Sequence, residues 1–204
     1  MSPSSRNLLL SNAATLAAAL LLQWSFGSLL WAYWLQSIII GWYARQRMLT
    51  LAQFSTDGFT SNNQRVPENE EGKRSTARFF TFHYGFFHVA YLAFLWKDHA
   101  LAGWRNALVL LICGASFALS QRETFAAQHA ADLRGKPNLG TLMFTPYLRV
   151  VPMHLAIILG SKLGGGAALL LFTGLKTASD LLLDRIDRHM AVRSADKAVV
   201  ADSK

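Results

Sequence analysis

Six polar side chains with acid–base or metal-binding capacity lie inside otherwise apolar stretches of this sequence. They are Gln36, His83, His88, His154, Lys176 and Asp180. An ionisable side chain in hydrocarbon costs about 2.5–3.5 kcal/mol on insertion scales, so each of the five ionisable residues needs a partner or a function. If each apolar stretch is a membrane-crossing helix, a rise of about 1.5 Å per residue places all six at similar depth. We therefore predict that this polar layer carries the function.

Three histidines within the layer predict a metal site. Neutral imidazole is the commonest metal ligand, and three histidines with one open position suit catalytic zinc. In this hypothesis His83, His88 and His154 bind a divalent transition metal, zinc first, and Glu123 or Asp180 handles the proton. His83 and His88 lie about 140° apart around a regular helix, so both reach one metal only if the helix is distorted. Two alternatives stay open: noncovalent haem between His88 and His154, and a metal-free hydrogen-bond network.

Charge pairing is the second pattern in the layer. Lys176 and Asp180 are four residues apart and can form an ion pair on one helix face. Arg149, one turn into its helix, needs a carboxylate partner, for which Glu123 and Asp180 are the candidates. Buried tyrosine hydroxyls also need partners and can support a histidine ligand. The remaining members of the predicted supporting network are Gln36, Tyr33 and Tyr84.

The elements that position these residues follow from composition. The 204 residues are 52% hydrophobic and 16% charged, whereas soluble domains carry about 25% charged residues. A membrane span needs roughly 20 mostly apolar residues. We predict an all-α, polytopic transmembrane helix bundle in one domain over 1–190, with the tail 191–204 cytoplasmic and disordered. The predicted spans are 7–23, 28–47, 77–97, 104–122, 146–161 and 167–190. Between them, 50–76 reads as a polar loop and 123–140 as a helical extension or interfacial segment.

The distribution of lysine and arginine orients the bundle. Fifteen of these residues fall on the side that holds both termini, and three fall on the other side. Since cytoplasmic loops carry the excess of positive charge, both termini are predicted to be cytoplasmic in a multi-pass inner (plasma) membrane protein. The net charge of +8 is therefore explained without nucleic acid. The predicted partners are the lipid bilayer and an amphiphilic or lipid substrate, and the oligomeric state stays open.

Four strings carry a resemblance to a known family. They are WAYWLQSIIIG at 31–41, FHYGFFHVAYLAF at 82–94, PYLRVVPMH at 146–154 and LKTASDL at 175–181. In these strings the chain resembles a family of prokaryotic integral-membrane proteins known only as a domain of unknown function. The resemblance implies the same polyhelical membrane fold and places His83, Tyr84 and His154 in the family pattern. It implies no activity, substrate or cofactor.

Three functional hypotheses from different classes follow. The leading one is an integral membrane metalloprotein, in its enzymatic version a zinc-dependent hydrolase that acts on an amphiphilic substrate. The alternative is a small transporter or ion-conducting protein that uses the same polar layer as its path. The third is a structural or partner-binding membrane subunit, in which the polar residues form a hydrogen-bond network that neither binds metal nor conducts a solute. Whether the chain is an enzyme is left open by the sequence.

Overall fold

The computed structural model describes residues 25–101, 103–160 and 165–202, and these ranges are mostly helical. The helices are α1 (Phe26–Leu49), α2 (Glu70–Asp98), α3 (Gly103–Leu133), α4 (Leu139–Phe144), α5 (Tyr147–Gly160) and α6 (Gly165–Asp202). A short antiparallel hairpin pairs β1 (Thr60–Ser61) with β2 (Gln64–Arg65). The helical class is confirmed, and the predicted span over 7–23 lies outside the described residues.

Helix α1 is the centre of the packing. It runs against α2 and α3 along its length and also contacts α4, α5 and α6. Its start is set by Ser25, whose side chain accepts a hydrogen bond from the Ser28 amide, as an N-cap serine does. A glycine lets α2 come close: a methyl group at Gly41 would lie 2.5 Å from Cε1 of Tyr84. The close approach brings the polar residues of α1 and α2 together.

Helix α2 begins seven residues before the predicted span over 77–97. Asn69 is its N-cap, with a side chain that accepts from the Gly72 amide at 2.9 Å, and Glu70 and Glu71 occupy the first turn. The N-cap side chain satisfies a backbone amide that has no partner within the helix. The two carboxylates face the positive end of the helix dipole. Both features therefore stabilise the start of α2. Helix α3 likewise continues past 122 to Leu133, so the helical extension predicted for this polar stretch is present.

The segment 50–69 forms a packed cap rather than an extended loop. Leu51, Phe54 and Val66 are buried. Ser55 pairs with the chain just before α4, where its amide donates to the Pro137 carbonyl and its carbonyl accepts from the Leu139 amide, both at 2.9 Å. We call residues 50–69 together with 134–138 the cap. It ties the start of α2 to the end of α3.

Glu68 is the electrostatic centre of the cap. One oxygen of its carboxylate accepts from the Thr56 amide at 3.0 Å and from Arg65 at 2.6 Å. The other accepts from Lys136 Nζ at 2.7 Å. The hydrogen bond from Lys136, followed by that from the Thr56 amide, holds the pKa of Glu68 below its usual value. The charged form of Glu68 is therefore a structural part of the cap.

Helices α5 and α6 pack against each other as a pair. Helix α5 begins at Tyr147, directly after Pro146, and carries Pro152 inside it. Helix α6 continues to Asp202, through most of the segment 191–204 for which a disordered tail is predicted. The short α4, which the sequence analysis did not anticipate, starts at its N-cap Asn138 and links the cap to α5.

Two helices carry large exposed apolar faces. On α2, side chains at helical spacing are each more than half exposed: Phe79, Phe82, Phe86, Val89 and Trp96. On α3, the face that includes Trp104, Leu111 and Ile112 is similarly exposed. Within the described residues one helix, Gly103–Leu133, is both long and apolar enough to cross a membrane, and 6% of its apolar window is buried.

Candidate functional site

The three predicted metal ligands have different surroundings. His83 is exposed, with Nδ1 at 2.9 Å from the Tyr147 hydroxyl. His154 is also exposed, with Nδ1 at 3.2 Å from the Tyr91 hydroxyl. His88 is buried, and its Nδ1 lies 2.9 Å from the Tyr84 carbonyl. Each histidine is thus held by its own tyrosine residue.

The geometry of His88 defines its tautomer. A carbonyl can only accept, so Nδ1 of His88 carries the proton that it donates to Tyr84, and Nε2 presents a lone pair. That Nε2 atom is buried and has no hydrogen-bond partner in the part of the chain that the structure describes. The rings of His88 and His154 both pack edge-on against Tyr91, with centroid distances of 6.1 and 6.3 Å.

These contacts bear on the predicted cofactors. Across 25–101, 103–160 and 165–202, no three or more His, Cys, Asp or Glu side chains form a group that could hold a metal ion. The zinc site formed by His83, His88 and His154 therefore stays a prediction without support from this geometry, as does noncovalent haem between His88 and His154. The arrangement instead resembles the alternative of a hydrogen-bond network, with each histidine bonded to a tyrosine residue.

Asp180 is the centre of a buried cluster of charges. Its side chain is 4% exposed. Oδ1 lies 2.8 Å from Arg149 Nη2 in an ion pair, and Oδ2 accepts a hydrogen bond from Lys176 Nζ at 2.8 Å. The pairing of Lys176 with Asp180 follows the four-residue spacing. Of the two carboxylates proposed for Arg149, the structure joins it to Asp180, whereas Glu123 is exposed on α3.

The predicted supporting residues lie around this cluster and along α1. Tyr33 is buried, and Lys176 Nζ lies 5.8 Å from the centre of its ring. Tyr84 is buried and donates from its hydroxyl to the Ser37 carbonyl at 3.0 Å. Gln36 is half-buried on α1. Tyr33 thus belongs to the Asp180 cluster, while Tyr84 joins α2 to α1.

A second buried ion pair was missed by the sequence analysis. Arg47 at the end of α1 donates to Asp132 at the end of α3 through Nε at 2.5 Å and Nη2 at 2.9 Å. The side chains are 11% and 5% exposed. Arg47 was placed at the end of the predicted span 28–47 and Asp132 in the polar stretch 123–140, and no spacing rule connects positions 85 residues apart. The only feature of the sequence that pointed to this ion pair was the basic residue in the last turn of α1.

Between these two ion pairs lies a cavity of about 340 Å³. Helices α1, α3, α5 and α6 each contribute to its wall, as do α4 and the residues just after it. Its polar lining residues are Tyr43, Arg47, Gln121, Thr124, Gln128, Thr145, Arg149, Asp180 and Asp184. Its apolar lining residues are Ile40, Ala44, Leu142, Pro146 and Leu183. We call this space the polar cavity.

The polar cavity uses the helical extension of α3. Gln121, Thr124 and Gln128 recur at helical spacing on one face of α3, so that they present a row of hydrogen-bonding groups. The same face packs on α1, where the rings of Tyr43 and Phe125 lie 5.4 Å apart. This partly open space, with charges at opposite sides and amides and hydroxyls between them, can hold a small polar group.

Fold and site together define a mostly helical protein with a helix suited to cross a membrane and a charged cavity where its helices meet. The chain belongs to a family of unknown function (DUF6498), whose sequence model matches residues 1–197. The family resemblance seen in the four strings is thereby confirmed. No curated protein and no solved structure matches the chain at a significant level.

Proposed function

We propose that this chain is a multi-pass membrane protein that binds an amphiphilic molecule, with the polar part of the ligand in the polar cavity. The observation that carries the proposal is the composition of the cavity wall. Ion pairs, amides and hydroxyls share a space of about 340 Å³ with Ile40, Ala44 and Leu183. Ligand pockets of about 300–1,000 Å³ commonly combine apolar walls with a few polar groups that orient the ligand.

The exposed apolar faces support the membrane part of this proposal. Soluble monomers rarely expose contiguous apolar patches larger than a few hundred Å². In α2 no Asp, Glu, Lys or Arg occurs between Arg78 and Lys97, and those eighteen residues extend about 27 Å, close to the hydrocarbon thickness. Phe82 and Phe86 in this stretch are 79% and 69% exposed, so this face of α2 suits contact with lipid.

In the proposed orientation both termini and the cap are cytoplasmic, because most lysine and arginine residues lie on that side. A cysteine introduced at Asn63, between β1 and β2, tests this in a Cys113→Ser background. A membrane-impermeant maleimide should label it in inverted membrane vesicles and not in intact spheroplasts. Labelling in intact spheroplasts would refute the orientation. A cysteine at Asp98, at the opposite end of α2, is the matched control with the reverse pattern.

Ligand binding is tested by filling the polar cavity. Ala44 is half-buried and lines the cavity, so Ala44→Trp should occupy the space that the ligand needs. The probes are short-chain phospholipids added to detergent-purified protein, with binding measured by native mass spectrometry. We expect bound lipid with the unmodified chain and at least tenfold weaker binding with Ala44→Trp. Ala93→Trp, on an exposed position of α2, is the control and should bind as the unmodified chain does.

The other hypotheses have their own measurements. Elemental analysis of the purified protein and of a His88→Gln/His154→Gln variant tests the zinc-dependent hydrolase. Stoichiometric metal in the unmodified protein that is absent from the variant would support that hypothesis. Flux through proteoliposomes tests the transporter. A chain that binds neither lipid nor metal and supports no flux fits the structural or partner-binding subunit, and that result would overturn the proposed function.

A further inference from the structure

We infer that the polar part of the ligand carries a primary ammonium group, which donates hydrogen bonds to hydroxyl oxygens on the wall of the polar cavity. This assignment rests on the proposed function for the existence of the site and adds the chemistry of the headgroup that the site holds. It comes from the direction in which the hydroxyl groups of the wall already use their protons.

Two threonine hydroxyl groups on the cavity wall donate to backbone carbonyls. Oγ1 of Thr124 donates to the Ser120 carbonyl at 3.3 Å, and Oγ1 of Thr145 donates to the Thr141 carbonyl at 2.6 Å. A carbonyl oxygen can only accept, so the proton of each hydroxyl is committed to the chain. Each Oγ1 atom keeps its lone pairs. The two threonines therefore present hydrogen-bond acceptors to a ligand.

Tyr43 adds a third oxygen of the same kind. It is half-buried and lines the cavity, and its hydroxyl donates to the Ala118 carbonyl of α3 at 3.4 Å. The carboxylates of Asp180 and Asp184 line the same cavity, and an ionised carboxylate can only accept. Acceptor oxygens therefore reach the cavity from α1, α3 and α6 and from the residue that follows α4.

A group that binds beside these oxygens must bring its own protons. A primary ammonium group has three N–H donors and no acceptor, so it can bond to several such oxygens at once. A quaternary ammonium group has the same charge but no N–H. A carbonyl or phosphate oxygen in the same place would set one acceptor against another. Hydrogen bonds with a charged donor are also stronger than those between neutral groups, which favours the ammonium group over a hydroxyl.

Guanidinium groups supply donors elsewhere on the wall. Arg47 and Arg149 line the cavity and lie in ion pairs with Asp132 and Asp180. A guanidinium has five N–H groups, and its fork fits phosphate as well as carboxylate oxygens. A headgroup that joins a phosphate to a primary amine, as in phosphatidylethanolamine, therefore matches both the donors and the acceptors of the polar cavity.

The experiment uses a methylation series of short-chain phospholipids with the same acyl chains. The series is phosphatidylethanolamine, its N-methyl and N,N-dimethyl derivatives, and phosphatidylcholine. Every member is a zwitterion, so the net charge stays constant while the N–H donors are removed one by one. Binding to the detergent-purified full chain is measured by native mass spectrometry at fixed ionic strength. We expect weaker binding at each methylation, with phosphatidylethanolamine bound about tenfold more tightly than phosphatidylcholine.

Methylation also enlarges the headgroup, and variants separate hydrogen bonding from size. Thr124→Val/Thr145→Val removes two acceptor oxygens with little change of shape and should reduce the preference to about threefold, whereas Thr124→Ser/Thr145→Ser should retain it. Thr81→Val is the matched control, because Thr81 donates to the Ala77 carbonyl at 2.7 Å in the same way but lies outside the cavity lining. Circular dichroism identifies a variant that fails to fold, and Tyr43→Phe then provides the same test.

The outcomes distinguish the ammonium group from the proposed function. Equal binding across the series, abolished by Ala44→Trp, would support the amphiphile site and overturn the ammonium group. A preference that is unchanged in Thr124→Val/Thr145→Val would reflect headgroup size and overturn it as well.

Phosphatidylglycerol, which has hydroxyl donors and no amine, provides one further comparison. If it binds as tightly as phosphatidylethanolamine, the amine is overturned in favour of a hydroxylated headgroup. Competition by free ethanolamine would support the ammonium group and indicate a soluble ligand, whereas phosphatidylethanolamine binding without such competition would support the ammonium group as part of a lipid. Failure of every lipid to bind would refute the proposed function itself.

Discussion

The buried pair between Arg47 and Asp132 offers the sharpest test of how the ends of α1 and α3 are held together. Two parallel hydrogen bonds of 2.5 and 2.9 Å join the guanidinium to the carboxylate, and the side chains are only 11% and 5% exposed. Replacement of Asp132 by asparagine leaves a buried cation without its counter-ion. Loss of one partner of a buried pair costs about 3–5 kcal/mol.

The expected change is large enough to measure in detergent. For a chain of this size, about 1 kcal/mol corresponds to roughly 2–4 °C in Tm, so Asp132→Asn should lower Tm by about 6–20 °C. Thermal unfolding followed by tryptophan fluorescence provides the assay, and denaturation with sodium dodecyl sulfate gives the free energy of unfolding. Arg45, a half-buried neighbour on α1, supplies the comparison, because Arg45→Gln removes the same charge without breaking this pair.

A double variant then separates the charges of the pair from its surroundings. Arg47→Met combined with Asp132→Leu removes both charges, and replacement of a buried pair by apolar residues is often neutral or stabilising. We expect the double variant to be more stable than Asp132→Asn. A loss below about 1 kcal/mol in Asp132→Asn, the range of exposed ion pairs, would refute the view that these charges are poorly solvated.

Three further predictions concern the cap and the helix contacts. Glu68→Gln should destabilise the protein by at most about 1 kcal/mol near neutral pH. Because the pKa of Glu68 is lowered in the fold, this difference should be lost as the pH falls through that lowered pKa, which unfolding at several pH values will show. Asn69→Ala removes the N-cap of α2 and should cost about 1 kcal/mol, and chemical denaturation showing no loss would contradict the capping role. Gly41→Ala places a methyl group against a buried tyrosine ring and should cost about 1–3 kcal/mol, whereas Gly85→Ala, with no neighbouring atom within 4 Å, should be neutral or stabilising in the same thermal assay.

The helices were predictable where their apolar stretches are, and less so at their ends. Hydropathy identifies only the apolar part of a helix, so α2 was expected to start at 77 although it starts at Glu70. The sequence around Asn69 contained the missing signal, since an N-cap asparagine followed by two glutamates is a typical helix start. The cap was harder to predict, because Ser55 and Pro137 are joined by backbone hydrogen bonds that side-chain patterns do not encode.

The site shows the same division between local and long-range information. A separation of four residues predicted the contact between Lys176 and Asp180, because it is a property of one helix. Depth along the membrane normal grouped the histidines, but depth says nothing about rotation around a helix axis. His83 and His88 lie about 140° apart around the helix axis, and accordingly His83 is exposed whereas His88 is buried. Contacts between helices, such as Arg47 with Asp132, required the packed structure.

The position of the polar cavity connects these observations. Its wall on α3 consists of Gln121, Thr124 and Gln128, beside and beyond the end of the apolar stretch predicted over 104–122. On α1 its lining changes from Ile40 to Arg47, where the apolar sequence also ends. The cavity therefore lies where the helices pass from apolar to polar composition. A site at that level suits the proposed amphiphilic ligand, with its polar part beside the ion pairs and its apolar part among the helices.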